Sequence, residues 1–489
     1  MKARKFINYL ILFYFISTVI FPQTAKDIQN KVKELSKNEL FKNAGWSVTA
    51  KYVDNGSIII SHNSGLSLAP ASGLKLFTSA TALAILGEDF RFETKLYYDG
   101  KITDGVLKGN IYVVGGGDPT LGSDLVSGSL PLDEVMKIWT NKIKAFGISE
   151  IQGAILADDF MFDREPIPDN WFWVDIGNYY GAPTSALTIN NNLYYLVFQP
   201  GKDVGDKAKV LKTEPKIDGL TFINYMKTGK KGSGDNGYIY CAPSSEIATL
   251  RGSVPAGVDE FSIKGSIPNP PLFAVQHLRK HLINSGIKVK EEAKVLSSAP
   301  DYKKLKLITK ILSPKLKDII YIVNKLSNNL YTEQILKTIS WYESGDGSTY
   351  DGIKVIREFL LSNKISTDGF HLYDGCGLSR SDAITTNMMV DLLIVLTKKK
   401  YFDTFYNSLG VMGDPEDISF YGKYGIGTEL EKNVRIKSGT IEGVRSYSGY
   451  LKNKSGRMIA FSMIANNYTG SGADVQAMHR DILLELAKL

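Results

Sequence analysis

Ser72 and Lys75 have the spacing of a nucleophile and its own base. They follow Pro70 and open an apolar, alanine-rich stretch that predicts a helix over residues 72–86. Positions i and i+3 share a helix face, so the Lys75 amine can approach the Ser72 hydroxyl. Because burial disfavours the charged ammonium, Lys75 could accept the proton of a serine that attacks a carbonyl. The alternative interpretation is a capping serine beside a lysine whose amine reaches solvent.

A nucleophile of this S-x-x-K type works with two later elements, first an S-x-N and then a K-[ST]-G. Ser327-Asn-Asn329 lies between two predicted helices. The S-x-N copies that begin at Ser36 and Ser61 precede Ser72, so their order excludes them. The second element is therefore assigned to Ser327 and Asn329.

The third element is Lys437-Ser-Gly-Thr440, which ends an alternating segment that predicts a strand. The edge of a strand can hydrogen-bond an extended substrate backbone. Lys437 and Ser438 could hold a carboxylate there, and Gly439 would let the substrate approach closely. All three elements thus occur in the order that this chemistry needs.

Other copies of these short motifs stand in the wrong context. Lys227-Thr-Gly precedes the S-x-N element and runs into a loop rich in glycine and lysine, and Lys454-Ser-Gly lies in a turn between two predicted strands. Ser285 and Lys288 repeat the S-x-x-K spacing, but Gly286 predicts the end of a helix between them. Their side chains would not share a helix face.

Metal-ligating residues are scarce. The two cysteines, Cys241 and Cys376, exclude a disulfide scaffold and a CxxC zinc site. His277 and His281 have helical spacing but lack the glutamate of an H-E-x-x-H site, so an exposed helix face is the better interpretation. We therefore predict no metal centre.

The elements that must position these motifs belong to a large globular protein. Its 489 residues predict two to four domains, and the hydrophobic content of 43% excludes a wholly disordered chain and a multi-pass membrane protein. The net charge is only +7 and no long basic block occurs, which argues against nucleic acid as a partner. Helix and strand patterns at both ends enclose a strand-rich stretch over residues 91–260, which indicates a domain interrupted by an insertion.

Residues 1–23 have the layout of an export signal. A positive start precedes an uncharged apolar run over residues 6–21, and polar residues follow. The rival interpretation is an uncleaved anchor, for which the run is slightly short. No cysteine follows the run, so a lipid anchor is not expected. The sequence predicts a cleaved signal peptide and an exported protein of the periplasm or cell envelope.

With its three motifs in this order, the chain resembles the serine penicillin-binding proteins, and more narrowly the low-molecular-mass class C D-alanyl-D-alanine carboxypeptidase/endopeptidases. The likeness covers nearly the whole chain after the signal. It departs from the family at Ser438, Asn328 and Cys376, where members commonly have threonine, aspartate and serine. None of these departures removes a catalytic group.

The resemblance implies an α/β (α+β) fold with a penicillin-binding, transpeptidase-like core, in which helices flank an antiparallel sheet. Residues 24–90 and 262–489 would form this catalytic domain. Residues 91–261 would form a strand-rich insertion between the first and second motifs, with two nested subdomains.

The resemblance also implies a mechanism that needs no metal and no organic cofactor. Ser72 would attack the carbonyl between two D-alanines with Lys75 as proton acceptor, and water would later hydrolyse the acyl-enzyme. Ser327 would relay a proton to the leaving nitrogen, and Asn329 would hydrogen-bond Lys75 and the substrate amide. The backbone amides of Ser72 and Thr440 would form the oxyanion hole.

Asp175 is a further candidate, inside the insertion. Family members carry an acid in this region that reaches toward the amine-bearing stem of the substrate, and Asp175 follows Trp171 and Trp173 in a pattern that fits it. The alternative is an aromatic patch between domains, in which Asp175 is structural.

The expected partners are peptidoglycan stem peptides, with β-lactams as covalent inhibitors, and a peripheral association with the cell wall or membrane is open. A serine β-lactamase is one rival, disfavoured by the long insertion and by the lack of an assignable deacylating glutamate. A non-catalytic peptidoglycan-binding or penicillin-sensing protein is another, disfavoured by the complete set of motifs.

Overall fold

The computed structural model describes residues 24–489, and the predicted signal peptide over residues 1–23 lies outside them. In chain order, the helices of the described residues are α1 Ala25–Leu35, α2 Lys75–Ile85, α3 Leu132–Ala145, α4 Pro270–Asn284, α5 Leu316–Leu326, α6 Asn329–Ser344, α7 Thr349–Ser362, α8 Thr386–Leu396, α9 Phe402–Ser408 and α10 Gly472–Lys488. Within residues 24–489, no helix is both long enough and apolar enough to cross a membrane.

The strands of the same residues divide between a central sheet and an inserted region. In chain order they are β1 Gly45–Tyr52, β2 Ile58–His62, β3 Glu93–Tyr98, β4 Lys101–Thr103, β5 Val106–Lys108, β6 Ile111–Val114, β7 Glu150–Ile151, β8 Ile155–Asp158, β9 Leu193–Gln199, β10 Lys209–Glu214, β11 Thr221–Asn224, β12 Lys227–Gly229, β13 Asn236–Tyr240, β14 Ile247–Pro255, β15 Phe261–Ser266, β16 Lys288–Val289, β17 Lys294–Val295, β18 Lys306–Leu312, β19 Gly410–Val411, β20 Arg435–Ile441, β21 Val444–Lys452 and β22 Met458–Asn466.

The centre of the catalytic region is a six-stranded antiparallel sheet in the order β19-β20-β21-β22-β1-β2. Side chains along a strand alternate between its two faces. On β22, Ala460 and Ile464 pack with the core formed by α2, α5, α6 and α8, whereas Phe461 and Met463 pack with α1 and α10. Helices therefore cover both faces of the sheet, and the predicted α/β fold with a helix-flanked antiparallel sheet is confirmed.

The other four sheets of residues 24–489 share one hydrophobic core with α3 and α4, and most of their strands belong to the inserted region. After the helix α4, the chain returns to these sheets, because β16 pairs with β7, β17 with β8 and β18 with β3. These pairings favour an insertion that extends to about residue 313. We propose this division in place of an end at residue 261.

The local elements around the motifs follow the sequence patterns with one difference. The hairpin over residues 46–60 forms as β1 and β2. The helix predicted over residues 72–86 begins late, because Ala71–Leu74 form a 3₁₀ turn and α2 starts at Lys75. Ser72 therefore lies in the tight turn that leads into the helix.

The competing motif copies lie in the inserted region or in a turn. Lys227-Thr-Gly forms strand β12, which pairs with β14, and Lys454 lies in the turn between β21 and β22. Ser285 is the C-cap of α4 and Lys288 starts β16. His277 and His281 are half-buried, so the interpretation of an exposed helix face is wrong; His281 Nδ1 lies 2.9 Å from the hydroxyl of Thr140 on α3.

Candidate active site

Ser72 is presented by a backbone turn that the surrounding chain holds in place. Ala71, which precedes it, has a φ of +46°, a conformation that costs a residue with a side chain and needs support from its neighbours. Gly377 lies directly against this residue: a Cβ atom on Gly377 would stand 1.9 Å from the Ala71 carbonyl oxygen. The turn leaves the Ser72 side chain half-buried, with its Oγ 2.9 Å from the Nζ of Lys75.

The Lys75 amine is fully buried and is held by two acceptors. Its Nζ lies 2.6 Å from Asn329 Oδ1 and 2.7 Å from the backbone carbonyl oxygen of Cys376. Burial lowers the pKa of Lys75, and the acidic groups near it oppose that effect. The predicted pairing of Ser72 with a desolvated lysine is thus present in the structure.

The S-x-N element forms the junction between α5 and α6. Ser327 is the C-cap of α5, with a φ of +58°, and Asn328 caps α6 by accepting a hydrogen bond from the Tyr331 N–H. From this junction, Ser327 contacts Lys437 and Asn329 contacts Lys75. Asn329 then donates from its Nδ2 to the backbone carbonyl of Tyr180, 2.8 Å away, which ties the inserted region to the site.

Lys437 on β20 faces the S-x-N element. Its side chain is buried, and its Nζ lies 2.9 Å from Ser327 Oγ and 2.8 Å from the carbonyl oxygen of Ser438. Burial lowers the pKa of Lys437 well below its usual value, and the charge of Lys75 lowers it further. The S-x-N element therefore contacts two buried amines: Ser327 contacts that of Lys437, and Asn329 contacts that of Lys75.

Strand β20 leaves one edge open beside Ser72. Among the strands of residues 24–489, β19 pairs with β20 only at Arg435 and Ile436. Farther along β20, Ser438 is half-buried and Thr440 is exposed. This edge is available to an extended peptide, as the sequence predicts for a K-[ST]-G strand.

The packing of the protein requires a glycine at position 439, a requirement that sequence reasoning missed. A Cβ atom at this position would lie 2.2 Å from the Pro70 carbonyl oxygen and 2.9 Å from the Gly73 nitrogen. The glycine therefore lets β20 pack directly against the turn that carries Ser72. Close approach of a substrate to Gly439 stays a prediction.

Comparisons with known proteins identify the family to which this chain belongs. A sequence model of the D-Ala-D-Ala carboxypeptidase 3 (S13) family matches residues 28–488. The chain belongs to the S13 family. The predicted resemblance to the D-alanyl-D-alanine carboxypeptidases is therefore confirmed, and the chain is a serine hydrolase of that class.

Relatives of this S13 chain cover most of its length. It is 29% identical over 430 residues to the D-alanyl-D-alanine carboxypeptidase of Actinomadura sp. (strain R39), with 85% of this chain and 76% of the relative covered. It is 25% identical over 429 residues to the D-alanyl-D-alanine carboxypeptidase DacB of Haemophilus influenzae, with 86% and 85% covered. The crystal structure of penicillin binding protein 4 (dacB) from Haemophilus influenzae has the same fold, with a TM-score of 0.79, 23% identity and coverage of 94% of this chain and 99% of that one.

The S13 chain also contains a buried acid that sequence reasoning did not single out. Asp374 is fully buried, and its carboxylate accepts the N–H groups of four successive residues, 376 to 379. It also accepts a hydrogen bond from the indole Nε1 of Trp171, 2.8 Å away. The acid thereby fixes the loop whose Cys376 carbonyl holds Lys75. Its Asp-Gly-x-Gly context is a turn signal that could have indicated this role.

Glu333, Asp374 and Cys376 lie close enough to one another to suggest a metal site, but their chemistry does not fit one. Both Asp374 oxygens are already occupied by N–H donors. Burial raises the pKa of Glu333 to about 8 and that of the Cys376 thiol well above its usual value, which favours their protonated forms. Within residues 24–489 this cluster is better explained as the support of the loop beneath Lys75.

Asp175 lies beside the catalytic cleft, at the end of the segment that Trp171 anchors. Asp175 is half-buried, and its carboxylate hydrogen-bonds the Tyr180 side chain. Burial raises the pKa of Asp175, and the nearby Arg380 guanidinium opposes this rise. Because the Tyr180 carbonyl accepts from Asn329, Asp175 is linked to the site through one residue. A role in substrate binding stays a prediction.

Replacing Trp171 by phenylalanine should weaken the loop beneath Lys75. The change removes a donor from a buried carboxylate, which we expect to lower the free energy of unfolding by about 1.5–3 kcal/mol. Acylation by penicillin should slow at the same time, because the Cys376 carbonyl loses its fixed position. The checks are urea unfolding followed by circular dichroism and the rate of penicillin labelling.

The matched control is Trp173→Phe, because Trp173 lies two residues away and its side chain is 52% exposed. That variant should stay within about 0.5 kcal/mol of the parent protein. Equal losses of stability in the two variants would contradict the role assigned to the Trp171 hydrogen bond.

Proposed function

We propose that this S13 protein hydrolyses the D-alanyl-D-alanine bond of peptidoglycan stem peptides through an acyl-enzyme on Ser72, as a carboxypeptidase, a D,D-endopeptidase or both. The observation that carries the proposal is the environment of the Lys75 amine. A neutral amine has two N–H groups, and the two acceptors Asn329 Oδ1 and the Cys376 carbonyl can take both. The lone pair is then left for the Ser72 hydroxyl, 2.9 Å away.

The first step follows from this arrangement. Lys75 accepts the Ser72 proton as the serine oxygen attacks the carbonyl carbon of the penultimate D-alanine. Desolvation supports the neutral form of Lys75 before the attack. The new ammonium is stabilised by its hydrogen bonds to Asn329 Oδ1 and the Cys376 carbonyl, and by the nearby carboxylate of Asp374.

The leaving group needs a proton, and Ser327 can deliver it. Its hydroxyl lies 2.9 Å from Lys437 Nζ, and the junction also carries Asn329, which touches Lys75. Ser327 passes to the departing nitrogen the proton that Lys75 took from Ser72, so Lys75 is neutral again once the acyl-enzyme has formed. Lys437 contacts the Ser327 hydroxyl and orients it for this transfer.

Binding and charge stabilisation are assigned to β20. The backbone N–H groups of Ser72 and Thr440 form the oxyanion hole, which stabilises the negative charge of the tetrahedral intermediate. The terminal carboxylate of the substrate binds at the Ser438 hydroxyl, and the charge of Lys437 attracts it. Lys437 is buried, so it acts through Ser327 and Ser438 as well as through its charge.

β-Lactams are the proposed covalent inhibitors, because their strained amide occupies the place of the D-alanyl-D-alanine bond. We propose export through the N-terminal segment and peripheral association with the cell wall or membrane. The S13 match over residues 28–488 favours a peptidase over a β-lactamase. The paired Ser72 and Lys75 favour an enzyme over a non-catalytic binding protein.

The function is tested by digesting purified muropeptides with the mature protein. Loss of the terminal D-alanine from pentapeptides identifies carboxypeptidase activity, and conversion of cross-linked dimers to monomers identifies endopeptidase activity. Nitrocefin tests the β-lactamase alternative. A β-lactamase turns nitrocefin over repeatedly, whereas we expect the peptidase to be acylated by it stoichiometrically. Absence of both products with the wild-type protein, together with rapid nitrocefin turnover, would overturn the proposal.

Replacing Asp175 by asparagine should weaken the hydrolysis of stem peptides that carry a free side-chain amine. A carboxylate and an amine that are partly removed from water interact by about 1–2 kcal/mol, which corresponds to a few-fold to tens-fold in kcat/KM. Acylation by penicillin, which lacks that amine, should stay unchanged. Both rates are measured on the same variant.

Asp169→Asn provides the matched control, because Asp169 is an exposed acid in the same segment. It should leave both rates at the parent value. If penicillin acylation and peptide hydrolysis fall together in Asp175→Asn, the residue supports the docking of the inserted region and does not bind the substrate amine.

A further inference from the structure

A strip of exposed aromatic and basic side chains begins one residue from the catalytic cleft. Tyr179 precedes Tyr180, whose carbonyl accepts from the Asn329 side chain. The Tyr179 ring lies 5.4 Å from Lys264 Nζ, and the Tyr195 ring lies 5.9 Å from the same nitrogen. Tyr179 is 49% exposed and Tyr195 is 42% exposed. We call these three residues, Tyr179, Lys264 and Tyr195, the aromatic strip.

Regular backbone elements hold the strip. The N–H of Tyr179 donates to the carbonyl of Lys264 on β15, and Lys264 stands directly opposite Tyr195 on β9. Neighbouring strands lie about 4.8 Å apart, so the strip crosses from the cleft wall over two strands and covers about 10 Å. Two linked sugar rings can cover that span.

We propose that the aromatic strip binds the glycan strand of peptidoglycan. The inference rests on the proposed function, because a stem peptide in the cleft is attached to that strand. From Ser72 the peptide would pass Asp175 with its diamino acid, and Asp175 hydrogen-bonds Tyr180, whose ring lies 5.4 Å from the Tyr179 ring. The strip therefore begins next to Tyr180, which contacts Asn329, and we place the sugar end of the peptide there.

The chemistry of the strip fits amino sugars. A pyranose ring has an apolar C–H face and a polar rim, and a tyrosine ring likewise combines an apolar face with a polar hydroxyl. Stacking removes both apolar faces from water while the polar rims stay hydrated. The Lys264 ammonium between the two rings can donate to hydroxyl and acetamido oxygens of the sugar. A lysine in the middle of the strip disfavours a purely apolar partner.

The test uses peptide-free glycan strands, released from peptidoglycan by an amidase, and the full chain with Ser72→Ala to prevent turnover. Binding is measured by calorimetry for this protein and after adding Tyr195→Ala or Lys264→Ala. Each addition should weaken binding about tenfold or more. Tyr350→Ala is the matched control: Tyr350 of α7 is 70% exposed and has Lys354 Nζ 4.2 Å from its ring, but it lies outside the strip.

A second measurement separates this inference from the proposed function. With Ser72 intact, Tyr195→Ala should lose several-fold in the hydrolysis of intact peptidoglycan and should hydrolyse a small sugar-free pentapeptide at the parent rate. Unchanged glycan binding in both strip variants, or an equal loss in Tyr350→Ala, overturns the inference while pentapeptide hydrolysis still supports the function. Binding of the strip to anionic lipid vesicles, with none to glycan, would overturn it in favour of a membrane surface. A wild-type protein that does not cleave the pentapeptide would instead overturn the proposed function.

Discussion

Replacing Ser72 by alanine is expected to abolish covalent labelling by penicillin. The Ser72 hydroxyl is the nucleophile that Lys75 Nζ approaches to 2.9 Å, and alanine offers no oxygen to acylate. Hydrolysis of stem peptides should fall by a factor on the order of 10⁴ or more, as when the nucleophile of other serine hydrolases is removed. Labelled penicillin, proteolysis and mass spectrometry of the labelled peptide locate the modified residue.

Ser285→Ala is the control for this experiment. Ser285 is the serine of the other S-x-x-K pair, and it caps α4 in the inserted region. Its replacement should leave labelling and hydrolysis unchanged. Label on a serine other than Ser72, or label that persists in Ser72→Ala, would contradict the assignment of the nucleophile.

Replacing Lys437 by alanine should lower kcat/KM by about 10²-fold or more, because the site loses a charge-assisted contact to the substrate carboxylate. Ser327 also loses the amine 2.9 Å from its hydroxyl. Removal of a buried amine could alter stability as well, so Lys437→Met, which fills the same space without charge, is measured beside it. Both variants should retain the circular dichroism spectrum of the parent while activity falls.

The control residue for Lys437 is Lys227, which has the same K-[ST]-G letters but is exposed on β12 in the inserted region. Lys227→Ala should keep the parent kcat/KM. Equal losses at Lys227 and Lys437 would show that the order and strand context of the motifs do not select the functional copy.

The sequence could predict the parts of the site whose signals are local. The Ser72 and Lys75 pair has a spacing that any helical turn brings together, and Ser327 and Asn329 were placed by their order between helices. Lys437 stands in an alternating strand pattern. Each of these depends on a few neighbouring residues, and the structure brings their side chains together.

The rest depends on contacts between distant parts of the chain. The carboxylate of Asp374 receives Trp171 from the inserted region, and no periodicity in the sequence indicates that pairing. The return of β18 to β3 is likewise a long-range pairing, so no local sequence pattern marks the end of the insertion. The requirement for glycine at position 439 comes from a close approach to Pro70, about 370 residues earlier in the sequence.

The pairing of β1 with β22 has a consequence for the order in which the chain folds. Val48 on β1 stands opposite Met463 on β22, so the central sheet cannot close until synthesis has passed residue 466. Sheets whose paired strands are far apart in the sequence fold slowly. A long loop must close, at a cost in entropy, before the stabilising contacts can form. The inserted region has its own core and its strands are nearer in sequence, so it can form first. We therefore expect the contact between Lys437 on β20 and Ser327 to form late in folding, because it depends on the sheet that closes last.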